Sequence, residues 1–255
     1  MSVFLGIDIG GSGIKGAPVD LTTGEFTQSR LRIPTPEKST PKNVGAVIGE
    51  IIEHFTPSIG DVPVGITFPA PVVHGVVPFI ANLHQKWTGL NADEFLSDKL
   101  GRDITLVNDA DAAGLAEVRY GAAKNHQGLV IVTTQGTGIG SAIIHRGVLV
   151  PNSELGHLEL DGRDAEKHAA SSIKDKEGLS YKQWVERLQR YYSHVEMLFS
   201  PDLFVIGGGV SKDWDKFGPL LDLKTPVVPA VLRNQAGIIG AAMAAADAQV
   251  HPEDH

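Results

Sequence analysis

The chain contains no cysteine, and that absence removes disulfides, thiolate metal centres and cysteine nucleophiles together. It fits a reducing, cytoplasmic compartment. No glycine is followed by lysine, so a Walker phosphate loop is excluded, and no Gly-x-Ser-x-Gly elbow occurs. No apolar run is long enough to span a bilayer, and Asp8 interrupts the apolar N-terminal run, so it does not read as a signal peptide. Positive charge is scarce: 22 Lys and Arg stand against 30 Asp and Glu, a net charge of −8. That balance argues against nucleic-acid or membrane-surface partners, and any polyanion must be met by a local basic patch.

What the chain has is glycine in ordered places. Val3-Phe4-Leu5-Gly6-Ile7 reads as a buried strand that runs through Asp8 into Gly10-Gly11-Ser12-Gly13-Ile14-Lys15-Gly16. Such glycines permit positive φ and a close approach of backbone to ligand, and successive N–H groups in a turn can converge on an anion. The layout recurs 125 residues on, where Leu129 to Thr134 lead into Gln135-Gly136-Thr137-Gly138-Ile139-Gly140. Gly11-Ser12-Gly13-Ile14-Lys15-Gly16 also fits the dinucleotide fingerprint, but that requires a helix next. Gly16, Pro18 and Gly24 would break one. The segment reads instead as a hairpin, with a turn at Thr22-Thr23-Gly24 and a return to Ile33.

Further along, helical spacing covers 43–55, a strand covers 62–68, a small hairpin centres on His74-Gly75, and a helix covers 93–100. A strand over 104–107 stops at Asn108-Asp109, where a helix to Tyr120 begins. Asp109 is thus either a helix cap or a carboxylate aimed into the crevice at the strand ends. Glu154-Leu155-Gly156-His157-Leu158-Glu159 is either a solvated loop or a cluster suited to sugar hydroxyls. Glu166 is either a solvated helix charge or part of a site. Ser180 to Gln183 fits a capping box opening a long helix, whose apolar stripe runs from Trp184 to Leu198 and Phe199. A third glycine turn, Gly207-Gly208-Gly209, follows the strand 203–206. The helix 236–248 carries Gly237 and Gly240 on an Ala-rich face suited to close packing, and the tail from Val250 is expected to fray.

Asp8-Ile9-Gly10-Gly11-Ser12, Asn108-Asp109, Gln135 to Gly140, Glu154 to His157 and Gly207 to Val210 stand in the order of the ROK sugar kinases. Thr67-Phe68-Pro69, Asn82 and Trp87-Thr88-Gly89 resemble the polyphosphate glucokinase branch. The resemblance covers nearly the whole chain. It implies a two-lobed α/β fold of the actin/hexokinase (ribonuclease H-like) type with an interdomain cleft. Residues 1–108 plus the helix 236–250 would form a small lobe and 109–235 a larger one. It further implies phosphoryl transfer from polyphosphate or ATP to the 6-hydroxyl of glucose, with mannose a second acceptor, with Mg²⁺, in a monomer or homodimer. By that resemblance the donor side takes Asp8, Gly10, Gly11, Ser12, Gly13, Lys15, Thr134, Gly136, Thr137, Gly138, Gly208 and Gly209, with Asp8 toward Mg²⁺. The hexose side takes Thr67, Asn82, Asn108, Glu154, His157 and Glu166, with Asp109 as the base. Relatives use the His of Glu-x-Gly-His with thiolates to bind zinc; without cysteines no zinc site is expected, and His157 is left for the sugar. Lys15, Arg119, Lys124 and Arg146 are candidates for a basic track. An ATP-only glucokinase and a non-catalytic sugar sensor on this fold are the alternatives.

Overall fold

Val3–Gly10 (β1) and Gly13–Asp20 (β2) form an antiparallel hairpin in the computed structural model, which describes residues 3–250. The frayed tail expected after Val250 lies outside those residues. The strand expected to return to Ile33 is split into Glu25–Phe26 (β3) and Leu31–Ile33 (β4), both paired with β2. Helix Pro41–Ile59 (α1) is longer than its apolar spacing implied. Thr40 caps it and Pro41 supplies the preset φ of a first helical residue. Val64–Phe68 (β5) then runs parallel to β1. Val73 and Val76 bridge across His74 (φ 49°) and Gly75 (φ 76°), the two left-handed residues of a tight hairpin turn. Asn91 caps Ala92–Leu100 (α2), and Ile104–Asn108 (β6) runs parallel to β5 before Asp109–Arg119 (α3).

The second half opens with Leu129–Gln135 (β7), Ile139–His145 (β8) and Val148–Val150 (β9), all antiparallel. A short ribbon of Glu159–Leu160 (β10) and Arg163–Asp164 (β11) precedes Glu166–Ala169 (α4) and Ser171–Lys176 (α5). Tyr181–Phe199 (α6) starts with the expected capping box at Ser180 and Gln183. Its stripe is buried from Trp184 to Val195 and Phe199 still packs against the core, but Leu198 in the last turn is exposed. Leu203–Gly207 (β12), Trp214–Phe217 (α7) and Val227–Pro229 (β13) follow, then Ala236–Val250 (α8).

The chain divides into two compact units, Met1–Ala112 with Gln235–His255 and Ala113–Asn234. The division falls inside α3, not at its start, and the first unit is not the smaller. In that unit the sheet order is β3-β2-β1-β5-β6, with β4 also on β2. Alternation along the strands sorts its two faces. Leu5, Ile7, Ile9, Val64, Ile66 and Phe68 join a core with α1. The opposite face presents Gly6 and Gly65 to α8, where an added Cβ would lie 1.9 Å from Ile238 O and 1.8 Å from Ala241 O. Gly240 answers from the helix, with Ala112 O 1.9 Å from its absent Cβ. Helix and sheet therefore meet backbone to backbone.

The second unit holds the sheet β13-β12-β7-β8-β9. Ile131, Phe204 and Ile206 face α6 on one side, while Val130, Val132, Leu203 and Val205 pack on the other. Burial on both faces explains why β7 and β12 read as continuous apolar runs.

Candidate active site

In the first unit the glycine turn is two residues long, Gly11 and Ser12, with Gly10 paired to Gly13. Neither these glycines nor Gly136 and Gly138 adopt positive φ; among the candidate glycines only Gly208 does, at 84°. What Gly13 permits instead is the approach of Arg32, whose guanidinium would lie 2.7 Å from a Cβ there and whose Nη2 donates to Ser12 O at 2.8 Å. Thr35 donates to Gly10 O at 2.5 Å. Two carbonyls of the turn are thus drawn onto protein donors, which lowers the negative potential an incoming anion would meet. Gly11 faces open space.

Asp8 sits beside this turn, on the sheet face that meets α8. Thr67 donates to its Oδ1 at 2.9 Å, and Lys15 Nζ, opposite on β2, lies 3.3 Å from its Oδ2. The first turn of α8 is adjacent, with Gly237 leaving 3.1 Å between a hypothetical Cβ and Asp8 Oδ1. A helix N-terminus favours such a carboxylate. Thr67 is fully buried and its hydroxyl also accepts from Ile9 N at 3.2 Å. It therefore orients Asp8 and is not disposed to meet a hexose, as the resemblance had implied.

At the end of β6 the helix cap is Asn108, whose Oδ1 accepts from Ala110 N at 2.9 Å and Asp111 N at 3.2 Å. Asn108 is buried, and its carbonyl oxygen is committed to the helix rather than to a sugar. Asp109, the next residue, is exposed in the first turn of α3. Asn82 is exposed in the loop before Gln85–Trp87. That loop is pinned by buried Trp87, whose Nε1 donates to Ser39 O at 2.9 Å.

In the second unit the turn after β7 is one residue longer than its counterpart, since Gln135 pairs with Ile139 across Gly136, Thr137 and Gly138. Ser171 Oγ and Ser172 N hold Gly136 O at 3.1 and 3.0 Å, and Ser172 Oγ holds Thr137 O at 2.7 Å. Again the carbonyls are tied away, here by serines that no motif had marked. Glu166 accepts from Ile139 N at 3.2 Å, and a Cβ on Gly138 would lie 2.2 Å from its carboxylate. Gly208 packs on the backbone of Gln135, 2.2 Å from its carbonyl oxygen to an added Cβ, with exposed Gly209 after it. Thr134 is partly exposed at the end of β7. Of the basic candidates, Arg119, Lys124 and Arg146 are exposed, whereas Lys15 is drawn to Asp8.

Glu154 is set by Ser141, whose Oγ donates to Ser153 O at 2.7 Å and accepts from Leu155 N at 2.9 Å. Gly156 lets this turn sit on β8, because a Cβ would lie 2.2 Å from Ile139 O. His157 then stands among three carboxylates, each at 3.9 Å: Glu154, Asp164 and Glu166. Burial, opposed by His157 and reinforced by Glu166, raises the carboxyl of Glu154 above its ordinary range. The hydrogen bond from Lys167 holds Asp164 below its own. Asp164 and Ser141 were not legible as site residues; neither lies in a recognisable spacing. Three acceptors around one imidazole form a surface fit for several hydroxyls of a polyol.

No group of three or more His, Cys, Asp or Glu side chains among the described residues is arranged to hold a metal ion. A magnesium ion commonly uses one or two carboxylates with substrate phosphates completing its shell. Asp8, a single partly exposed carboxylate beside a phosphate-sized turn, fits that donor set.

The sequence profile of the ROK family matches residues 4–172. A polyphosphate glucokinase of Mycobacterium tuberculosis is 50% identical over 247 residues, covering 96% of this chain and 92% of that protein. Among solved structures, an inorganic polyphosphate/ATP-glucomannokinase from Arthrobacter sp. strain KM superposes with a TM-score of 0.91 at 50% identity, over 96% of this chain and 99% of that one. A ROK family glucokinase from Streptomyces griseus, in complex with glucose and AMPPNP, has a TM-score of 0.78 at 22% identity, over 94% and 98% of the two chains, and shares the fold.

Proposed function

Because this chain belongs to the ROK family, we propose that it is a sugar kinase moving the terminal phosphoryl group of inorganic polyphosphate or ATP onto the 6-hydroxyl of glucose. Two relatives at 50% identity over nearly the whole chain, one a polyphosphate glucokinase and one a polyphosphate/ATP-glucomannokinase, support that donor and acceptor pair. The glucomannokinase also supports mannose as a second acceptor.

The observation that carries the mechanism is that Asn108, not Asp109, caps α3. An exposed carboxylate is thereby presented at a strand end, where ligands of α/β sheets collect. The 6-hydroxyl oxygen attacks the terminal phosphorus, its O–P bond forms, and the bond to the donor oxygen breaks. Asp109 takes the hydroxyl proton, and the donor leaves as a shortened polyphosphate or as ADP. Glu154, His157 and Glu166 hold the sugar hydroxyls, with Asn82 a further contact from the first unit. The two glycine turns and Gly208-Gly209 hold the donor. Asp8 would hold Mg²⁺, which supplies neutralisation of phosphate charge when bound. Phosphoryl transfer is governed mainly by positioning and charge neutralisation, and backbone N–H groups with their carbonyls drawn away serve both.

The test is production of glucose 6-phosphate from glucose with ATP or polyphosphate. Replacing the base by Asp109→Asn is expected to lower kcat by about 10²–10⁴-fold, the range of a positioned general base, while glucose still binds. Turnover near that of the parent would refute the assignment.

A further inference from the structure

On the second unit, a cavity of about 150 Å³ lies under the β10–β11 ribbon, against α6. That is an order of magnitude above the roughly 10–15 Å³ that admits one water molecule. Its lining concentrates positive charge in a chain that is acidic overall: Arg163, Arg187 and Arg190 surround it with His168, against one carboxylate, Asp161. The ribbon itself separates this cavity from the Glu154–His157 cluster. Leu160 pairs with Arg163 and Glu159 with Asp164, so alternation puts Arg163 on the cavity side and Asp164 on the side of His157.

The arginines are held in place. Arg187 donates to His168 O at 3.1 Å and Glu177 Oε2 at 2.6 Å, and Arg190 donates to Asp161 at 3.0 Å. Arg163 enters no ion pair among the described residues. Tyr191 also lines the cavity; its side chain is 1% exposed, and its hydroxyl has no hydrogen-bond partner among the described residues. The charges that act on that hydroxyl are Tyr192 and Glu166, so it is not counted among the groups facing the cavity. Planar guanidinium forks match the oxygens of a phosphoryl group.

We propose that this cavity is a second phosphate-group site, built from residues that neither glycine turn uses. Its occupant is either a segment of a polyphosphate chain or a small phosphate. The site stands independently of the kinase reading, and its test does not use activity.

His168 is the reporter. Arg163 and Arg187 face it with Asp161 and Glu177, and burial with the two arginines lowers its pKa. A bound phosphate would reverse part of that effect. The imidazole titration of His168, followed by NMR at constant ionic strength, is expected to move up by roughly half a pH unit or more on addition of orthophosphate or polyphosphate. Chloride should leave it in place. In Arg163→Gln/Arg190→Gln the phosphate-induced change should vanish, whatever the starting value. If polyphosphate acts at about tenfold lower phosphoryl concentration than orthophosphate, the occupant is a chain segment; equal requirements identify a small phosphate. No change with either anion, the same change with chloride, or a change retained in the double variant would overturn the proposal.

Discussion

Glu154 illustrates how a candidate site residue can work against the fold that carries it. Burial raises its carboxyl pKa above the unfolded value, so between those two values the native state binds more protons than the unfolded state. Stability then falls as pH rises through that window, and near neutrality the ionised group opposes folding. Glu154→Gln is therefore expected to melt higher than the parent at neutral pH. That advantage should disappear at pH values below the unfolded carboxylate range. Glucose KM should worsen at the same time, since an acceptor is lost. Thermal unfolding across pH and steady-state kinetics on the same variant decide it; equal melting temperatures at neutral pH would remove the burial argument. Thr67 makes the complementary point. The resemblance implied that it binds sugar, yet the hydroxyl faces Asp8 and the backbone of β1. Sequence marks a polar residue at a strand end without saying which neighbour takes its proton.

At the level of elements, the glycines divide into those that hold units of structure together and those that merely occupy helices. Gly65→Ala would put a methyl group 1.8 Å from Ala241 O, a backbone atom that cannot yield. A loss of ~3 kcal/mol or more is expected in chemical denaturation. Gly49→Ala, inside α1 with Leu100 Cδ2 at 3.6 Å, should instead add roughly 0.5–1 kcal/mol through helix propensity. If both variants destabilise alike, close packing of α8 is not the reason for the glycine. The elements themselves were legible because their signals are local: the capping box at Ser180, the spacing in α1, the His74-Gly75 turn. The glycine turns were legible as turns but not in their detail. Two copies at one sequence offset close loops of different length, and the Arg32, Thr35, Ser171 and Ser172 contacts that shape them arrive from later elements. Nothing in a local pattern announces a partner delivered by tertiary packing.

For the whole molecule, the net charge of −8 sets an electrostatic expectation. A polyanionic donor must be captured by local cations and amide groups against a repulsive background. Its apparent affinity should decline steeply as salt shortens the Debye length from ~10 Å at 0.1 M to ~3 Å at 1 M. Glucose, which is neutral, should keep its KM over the same range, and parallel loss of both would point to general destabilisation instead. The last feature of consequence is α8, the closing helix that covers Gly6 and Gly65 and brings its first turn to Asp8. Synthesis runs from β1 toward α8, so Asp8 gains its surroundings only after that later helix has emerged and docked. The setting of Asp8 is consequently assembled by two distant stretches of chain, and a nascent chain that still lacks α8 can pair its early strands without completing it.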